Sequence, residues 1–128
     1  MAGNRNQILG KWGEQVAYAY LAQKGYTLLA SNYRTPFGEI DLIARQKTGA
    51  GWITVFIEVK TRSTGDYGFP EEAVTAAKRR HLMNSAEAYL ERHPEQVGDW
   101  RIDVIAIRSR RLGEDPEIVH YENAVNGD

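Results

Sequence analysis

Residues 38–62, "GEIDLIARQKTGAGWITVFIEVKTR", place charged side chains inside two apolar segments. The first segment carries Glu39 and Asp41, and the second carries Glu58 and Lys60. A carboxylate in such a strand is costly unless it is paired or bound to a metal ion. Carboxylates with one lysine suit hydrolysis of a phosphodiester, because hard oxygen ligands hold Mg²⁺ or Mn²⁺ and the lysine can stabilise negative charge.

Strand alternation predicts how these side chains are shared between two faces, because positions two apart point the same way. In the first strand, Ile40, Leu42 and Ala44 are predicted on one face, and Glu39, Asp41 and Ile43 on the other. In the second strand the rows are Ile53, Val55, Ile57 and Val59 against Phe56, Glu58 and Lys60. An antiparallel hairpin would therefore present all the acids and the lysine on one surface.

A first helix is predicted from Asn6 to Lys24, because apolar residues recur at spacings of three and four, and Gly25 is its stop signal. Glu14 falls at the edge of the apolar arc of this helix. Gly10 and Gly13 are expected to let the helix approach the sheet closely.

A second helix is predicted over residues 71–93, directly after Pro70, with acids in its first turn. Lys78 lies between Val74 and Leu82 in the stripe of this helix that packs inward. A lysine at such a position either extends out to solvent or points at an anion.

The remaining segments predict strands at 26–34, 39–45, 52–61, 100–108 and 117–125, with a turn at 35–38 and a flexible connection at 46–51. The run from Ile102 to Ile107 is nearly all apolar, which is typical of a strand buried on both faces. The order α-β-β-β-α-β, with a last short strand, predicts an α/β fold in which helices flank a small mixed sheet.

Length and composition favour one globular domain over residues 1–128, with 42% hydrophobic and 26% charged residues. The absence of cysteine excludes disulfides and thiolate zinc sites, and His81, His93 and His120 have no ligand spacing. No apolar run matches a membrane span or secretory signal, so a cytoplasmic protein without a membrane partner is expected. The net charge of −1 means that any nucleic-acid contact must be local.

The segments "GEIDLIA" and "VFIEVKTR" resemble the Asp…Glu-X-Lys core of the PD-(D/E)XK nuclease superfamily. More narrowly, "GKWGEQVAYAYLAQKGY", "NYRTPFGEIDLIA", "AVTAAKRRHL" and "RIDVIAI" make the chain similar to the YraN family of small bacterial proteins, which are similar to archaeal Holliday-junction resolvases. The resemblance implies a restriction endonuclease-like three-layer core. One departure is Ile40, which stands where many superfamily members have proline.

The same resemblance implies a Mg²⁺- or Mn²⁺-dependent endonuclease that acts on DNA phosphodiester bonds, with branched DNA as the candidate substrate and a homodimer as the candidate assembly. It implies that the metal ligands are Asp41 and Glu58, and that the catalytic set is Glu14, Asp41, Glu58 and Lys60. A local DNA-binding patch is expected from nearby cations: Arg62, Lys78, Arg79 and Arg80.

Other interpretations remain open at this level. Glu58 and Lys60 can be an exposed ion pair of little energetic weight. The chain can also be a non-catalytic nucleic-acid-binding module that retains the nuclease fold. The aromatic residues Trp12, Tyr18, Tyr20 and Tyr89 are expected to serve packing, whereas Tyr67 and Phe69 are better candidates for stacking on bases.

Overall fold

The computed structural model describes residues 5–62, 74–96, 98–109 and 115–125. Its elements in chain order are α1 (Arg5–Gln23), β1 (Thr27–Thr35), β2 (Gly38–Thr48), β3 (Gly51–Arg62), α2 (Ala76–Arg92), β4 (Trp100–Arg108) and β5 (Glu117–Val125). The predicted order of helices and strands is confirmed. Neither helix in these ranges is long and apolar enough to span a membrane.

The strands form one sheet in the order β1-β2-β3-β4-β5. The hairpin connections make β1, β2 and β3 antiparallel, while β4 lies parallel to β3 because α2 carries the chain back across the sheet. Strand β5 then returns antiparallel to β4. With α1 on one face and α2 on the other, the predicted three-layer α/β core with a mixed sheet is confirmed.

Both hairpins close through a threonine. At the first turn, Thr35 Oγ1 accepts from the Phe37 amide at 3.0 Å and donates to the Gly38 carbonyl at 2.9 Å. At the second, Thr48 Oγ1 donates to the Gly51 carbonyl at 2.9 Å. Strands β2 and β3 therefore run on to Thr48 and Gly51, and the flexible connection predicted at 46–51 is wrong because most of it is paired strand.

The sheet buries an apolar cluster on each face, so β3 and β4 contribute side chains to both. On the α1 face, Ala17 and Leu21 pack against Leu42, Val55 and Ile57. On the α2 face the packed side chains include Leu82, Ala86, Tyr89, Phe56, Ile102 and Val104. Burial of β4 on both faces confirms the interpretation of its apolar run.

Helix α1 touches the sheet most closely at Gly13. A Cβ atom added at Gly13 would overlap the side-chain hydroxyl of Thr61, near the end of β3. The prediction for Gly13 is therefore confirmed, because only a glycine fits here. The same prediction for Gly10 is wrong, since a Cβ added there would meet nothing within 4 Å.

Helix α2 begins later than the sequence predicts. Val74 and Thr75 are not helical, and Thr75 is the N-cap, with its side chain accepting a hydrogen bond from the Lys78 amide. The predicted start after Pro70, with acids in the first turn, is therefore wrong, because the hydroxyl of Thr75 supplies the cap. Tyr89 fixes the helix on the sheet through edge-on contacts with Tyr33 and Phe56, as the packing interpretation expected.

A buried polar network joins β4, β5 and the end of α1. Asp103, 0% exposed, accepts hydrogen bonds from Arg101, from His120 at 2.7 Å and from the Asn123 amide at 2.8 Å. Burial by itself would raise the pKa of Asp103, but the hydrogen bonds from His120, Arg101 and Asn123 outweigh it and hold that pKa below its ordinary value. Asp103 and Arg101 therefore form a largely buried pair on one face of β4.

Strands β1 and β2 change face at one pair of positions. Asn32 has a left-handed backbone, with φ of 50°, and the register places it opposite Asp41. Beyond this point Tyr33 and Ile40 pack on the α2 face, although strict alternation predicted Ile40 beside Leu42 on the α1 face. The predicted face of Ile40 is thus wrong, because the alternation of β2 breaks at Asp41, the residue opposite the left-handed Asn32.

Substitution of the two α1 glycines by alanine should have opposite effects on stability. Gly13→Ala should lower the free energy of unfolding by about 1–3 kcal/mol, because the methyl group overpacks against Thr61. Gly10→Ala should raise it by about 0.5–1 kcal/mol, because alanine favours the helix and meets free space. Urea titrations of both variants test this, and Thr61→Ala should relieve part of the Gly13→Ala penalty. Equal stability of the two variants would contradict the close contact.

Candidate active site

The candidate site begins where β2 and β3 separate. Their paired register ends at Leu42 and Ile57, one position before Asp41 and Glu58. Instead of continuing the ladder, the Val59 amide donates a hydrogen bond to Asp41 Oδ2 at 2.7 Å. The side chain of Asp41 thereby occupies the gap between the strands, next to Glu58.

Glu58 lies on the α2 face and is 4% exposed. Its Oε2 atom receives two ammonium groups, with Lys60 Nζ at 3.3 Å and Lys78 Nζ at 3.1 Å. Lys60 comes from the same strand two positions later, and Lys78 comes from the first turn of α2. A carboxylate so deeply buried needs such partners, and the interpretation of Glu58 and Lys60 as an exposed surface pair is therefore wrong.

Asp41 prefers its neutral form. Burial raises the pKa of Asp41 to about 8, and the negative charge of Glu58 and a hydrogen bond shared with it add to the rise. The hydrogen bond from the Val59 amide acts the other way, because it favours the carboxylate. Two carboxyl groups this close cannot easily both be ionised without a cation between them.

Glu14 reaches the site from the opposite face of the sheet. It is half-buried on α1, directly after the Gly13 contact, and its charge also raises the pKa of Asp41. The structure therefore brings Asp41, Glu58 and Lys60 together, with Glu14 acting on Asp41 through space. The open question about Lys78 is also answered, because its amine faces an anion, Glu58.

Other expected residues do not join this group. Glu39 is exposed and pairs with Arg34 across the first hairpin, at 3.5 Å between Nε and Oε2. The predicted surface shared by Glu39 and Asp41 is therefore wrong, because the strands change face at Asp41. Arg79 and Arg80 are exposed on α2 and Arg62 is half-buried at the end of β3. Tyr67 and Phe69 lie outside the described residues.

The Val59 amide was not predictable from the sequence. A backbone donor is invisible to residue type, and only the end of the β2–β3 ladder reveals it. The position of Lys78 on the inward stripe of α2 indicated that its amine could face an anion, and that anion is Glu58.

The side chains at the site are of the chemical kind that binds magnesium. Asp41 and Glu58 offer oxygen ligands, and their mutual repulsion is the kind of strain that a divalent cation relieves. Within the described ranges, no group of three or more acidic or histidine side chains is arranged to hold a metal ion. Mg²⁺ is commonly held by one or two carboxylates, with water and phosphate oxygens as the other ligands, so a pair of carboxylates suffices.

A cleft lies beside the site, between α1 and β1. It has a volume of about 270 Å³ and is lined by Lys11, Glu14, Gln15 and Tyr18 of α1 and by Ser31 and Asn32 of β1. The buried Leu42, next to Asp41 in β2, forms its floor. This α1–β1 cleft shares Glu14 with the candidate site.

Comparisons with known proteins give a consistent result. The model of the family described as "Uncharacterised protein family UPF0102" matches residues 13–107. The chain is 43% identical over 121 residues to the UPF0102 protein of Syntrophotalea carbinolica, which covers 94% of this chain and 93% of the relative. It is 42% identical over 127 residues to that of Roseiflexus castenholzii, which covers 98% of each. The corresponding protein of Desulfitobacterium hafniense is 44% identical over 115 residues, 88% of this chain and 92% of the relative.

The raised pKa of Asp41 predicts a specific pH dependence of stability in the absence of metal. The native state holds a proton on Asp41 that the unfolded chain releases near pH 4, so this contribution to stability is complete below pH of about 4 and is lost as pH rises through about 8. The Asp41→Asn side chain cannot ionise. The free energy of unfolding of this variant, measured relative to that of wild type, should therefore increase from pH 5 to pH 8. Denaturant titrations in a chelator measure this. A difference that does not vary with pH would contradict it.

Proposed function

We propose that this chain, which belongs to the uncharacterised protein family UPF0102, is a metal-dependent nuclease that hydrolyses DNA phosphodiester bonds. The family is the YraN group that the sequence motifs indicated, so that resemblance is confirmed. The proposal has three further parts: that the chain is a member of the nuclease superfamily, that its substrate is DNA, and that it uses a metal ion.

The observation that carries the proposal is the carboxyl pair of Asp41 and Glu58 at the opened end of β2 and β3. Burial and mutual repulsion make this pair unfavourable, and a purely structural role would favour the partners found around Asp103 instead. Perturbed carboxyl groups that adjoin a cleft are characteristic of functional sites.

Asp41 and Glu58 would hold Mg²⁺ or Mn²⁺, and Glu14 stands close enough to affect the same charge balance. Such an ion, when bound, polarises the phosphoryl group and lowers the pKa of a water molecule. The Val59 amide holds Asp41 in place through its hydrogen bond, and Lys78 and Lys60 hold Glu58. The protein thus supplies fixed ligand positions.

Lys60 is the residue placed to act on the reacting phosphate. Its amine lies 3.3 Å from Glu58 Oε2 and is partly exposed, so it can meet both the carboxylate and an incoming anion. Arg62, two residues further along β3, and the exposed Arg79 and Arg80 would bind the DNA backbone, with Lys78 as a contact shared with Glu58. Few such contacts imply modest, salt-sensitive binding.

Branched DNA and a homodimer complete the proposal, because the resemblance to Holliday-junction resolvases implies both and two symmetric cuts call for two sites. The alternative function is a binding module without catalysis. The observation in favour of the alternative is that the ammonium groups of Lys60 and Lys78 both pair with Glu58, so the protein's own side chains balance the charge of this carboxylate.

Magnesium should bind through the carboxyl pair. Calorimetric titration should show that Asp41→Ala weakens Mg²⁺ binding strongly, whereas Glu39→Ala leaves it unchanged, because Glu39 pairs with Arg34 at the surface. Binding by wild type should strengthen from pH 6 to pH 8 and release protons, since the ion displaces the proton of Asp41. Equal affinities of wild type and Asp41→Ala would rule this site out.

Cleavage should depend on Lys60 far more than binding does. A panel of linear, flapped and four-way DNA is incubated with Mg²⁺ or Mn²⁺, and Lys60→Ala should reduce the rate by about 100- to 1,000-fold because one preorganised donor to the transition state is lost. DNA affinity should stay nearly constant. Lys47→Ala, an exposed lysine of β2, is the matched control and should cut normally.

Glu58→Ala should also lose cleavage, through loss of the metal. Wild type that binds DNA but cuts nothing with either metal would refute the nuclease and favour the binding module. Cleavage of equal rate in wild type and Lys60→Ala would show that the activity does not come from this site.

A further inference from the structure

The α1–β1 cleft has the size and the lining of a pocket for one small planar group. Its volume of about 270 Å³ lies just below the range of about 300–1,000 Å³ that is common for drug-sized ligands. The floor, Leu42, is apolar, and the side chains of the two walls carry polar groups at their ends. Leu42 directly follows Asp41, and Glu14, which lines the cleft, also acts on the charge of Asp41, so a ligand in the cleft would lie near Asp41.

Tyr18 gives the cleft an aromatic wall. Its side chain is 51% exposed, whereas Tyr89 is buried and Tyr20 is held by a hydrogen bond to His120. Tyr18 follows Glu14 by one helical turn and therefore lies on the same face of α1. An exposed ring in a cleft next to a phosphodiester site is the arrangement on which single nucleobases stack.

Gln15 and Asn32 bring amide groups to opposite walls of the cleft. Each amide offers both donors and an acceptor, the combination that matches the edge of a base. In the part of the chain that the structure describes, neither side chain has a hydrogen-bond partner. Asn32 also keeps a left-handed backbone in the middle of β1, a conformation that functional sites retain at some cost in stability.

We infer that the α1–β1 cleft binds one unpaired nucleobase next to the phosphodiester bond that is cut. This inference rests on the proposed function and narrows its substrate to DNA with an unpaired nucleotide, such as a flap, a bulge or a single-stranded end. Tyr18 stacks on the base, Gln15 and Asn32 bind its edge, and the exposed Lys11 contacts a neighbouring phosphate. A continuous duplex is a poorer ligand because a base must first leave its stack.

The test uses a DNA duplex that carries one unpaired 2-aminopurine nucleotide, whose fluorescence falls when the base stacks on an aromatic ring. Divalent ions are chelated, so binding is measured without hydrolysis. Wild type should quench the probe and should bind the same duplex with an abasic nucleotide about 5- to 150-fold more weakly. Tyr18→Ala should lose the quenching and the preference for the base, and Tyr18→Phe should keep both.

Asn32→Gly removes the amide while it tolerates the left-handed backbone, and it should weaken binding of the probe but not of the abasic duplex. Trp52→Ala, which removes an exposed aromatic residue of β3 outside the cleft, should bind as wild type. Equal affinity of wild type for the base and the abasic site would overturn the inference, and so would unchanged binding by Tyr18→Ala.

Cleavage assays separate this inference from the proposed function. A protein that cuts DNA with no dependence on the unpaired base or on Tyr18 would retain the nuclease proposal and lose the base pocket. Base-dependent binding with no cleavage of any substrate in Mg²⁺ or Mn²⁺ would retain the pocket and refute the nuclease.

Discussion

The hydrogen bond from the Val59 amide to Asp41 is the contact on which the geometry of the candidate site depends. It replaces a ladder bond between β2 and β3, so the two central strands separate without leaving the buried amide unpaired. The gap admits a carboxyl group at the centre of the sheet. Without this bond, Asp41 would either return to the ladder or turn to solvent, and Glu58 would lose its acidic neighbour.

Each helix layer then supplies one charged group to that gap. Gly13 lets α1 lie against Thr61, and Glu14, the next residue, is carried toward Asp41 by the same close approach. On the other face, the Thr75 cap fixes the first turn of α2, from which Lys78 reaches Glu58. The site is therefore a product of all three layers, and a change in the packing of either helix alters its charge balance.

The elements were predictable because apolar periodicity and turn residues are local signals, and all five strands and both helices were found close to their predicted positions. The face of Ile40 and the isolation of Glu39 were not predictable, since alternation breaks at Asp41, opposite the left-handed Asn32. Asparagine adopts the left-handed backbone more readily than most residues, but residue type does not show which asparagine inside a strand does so. The start of α2 was missed because the acids after Pro70 favour a first turn there, whereas Thr75 is the N-cap. Asp41, Glu58 and Lys60 were predicted to lie together from their spacing and from the resemblance, and the structure does bring them together, although strict alternation fails at Asp41.

Two aspartates lie on the strands that flank β3, Asp103 fully buried and Asp41 half-buried, and their surroundings differ. Asp103 on β4 is surrounded by donors, and its pKa is lowered because the network with His120 and Arg101 outweighs burial. Asp41 on β2 has acids as neighbours, and its pKa is raised by burial and by Glu58. Stability alone favours the first arrangement, because every buried charge there is matched. In the second, no described cationic side chain pairs with Asp41, so its carboxylate form is unfavourable, and the divalent ion of the proposed function would favour that form.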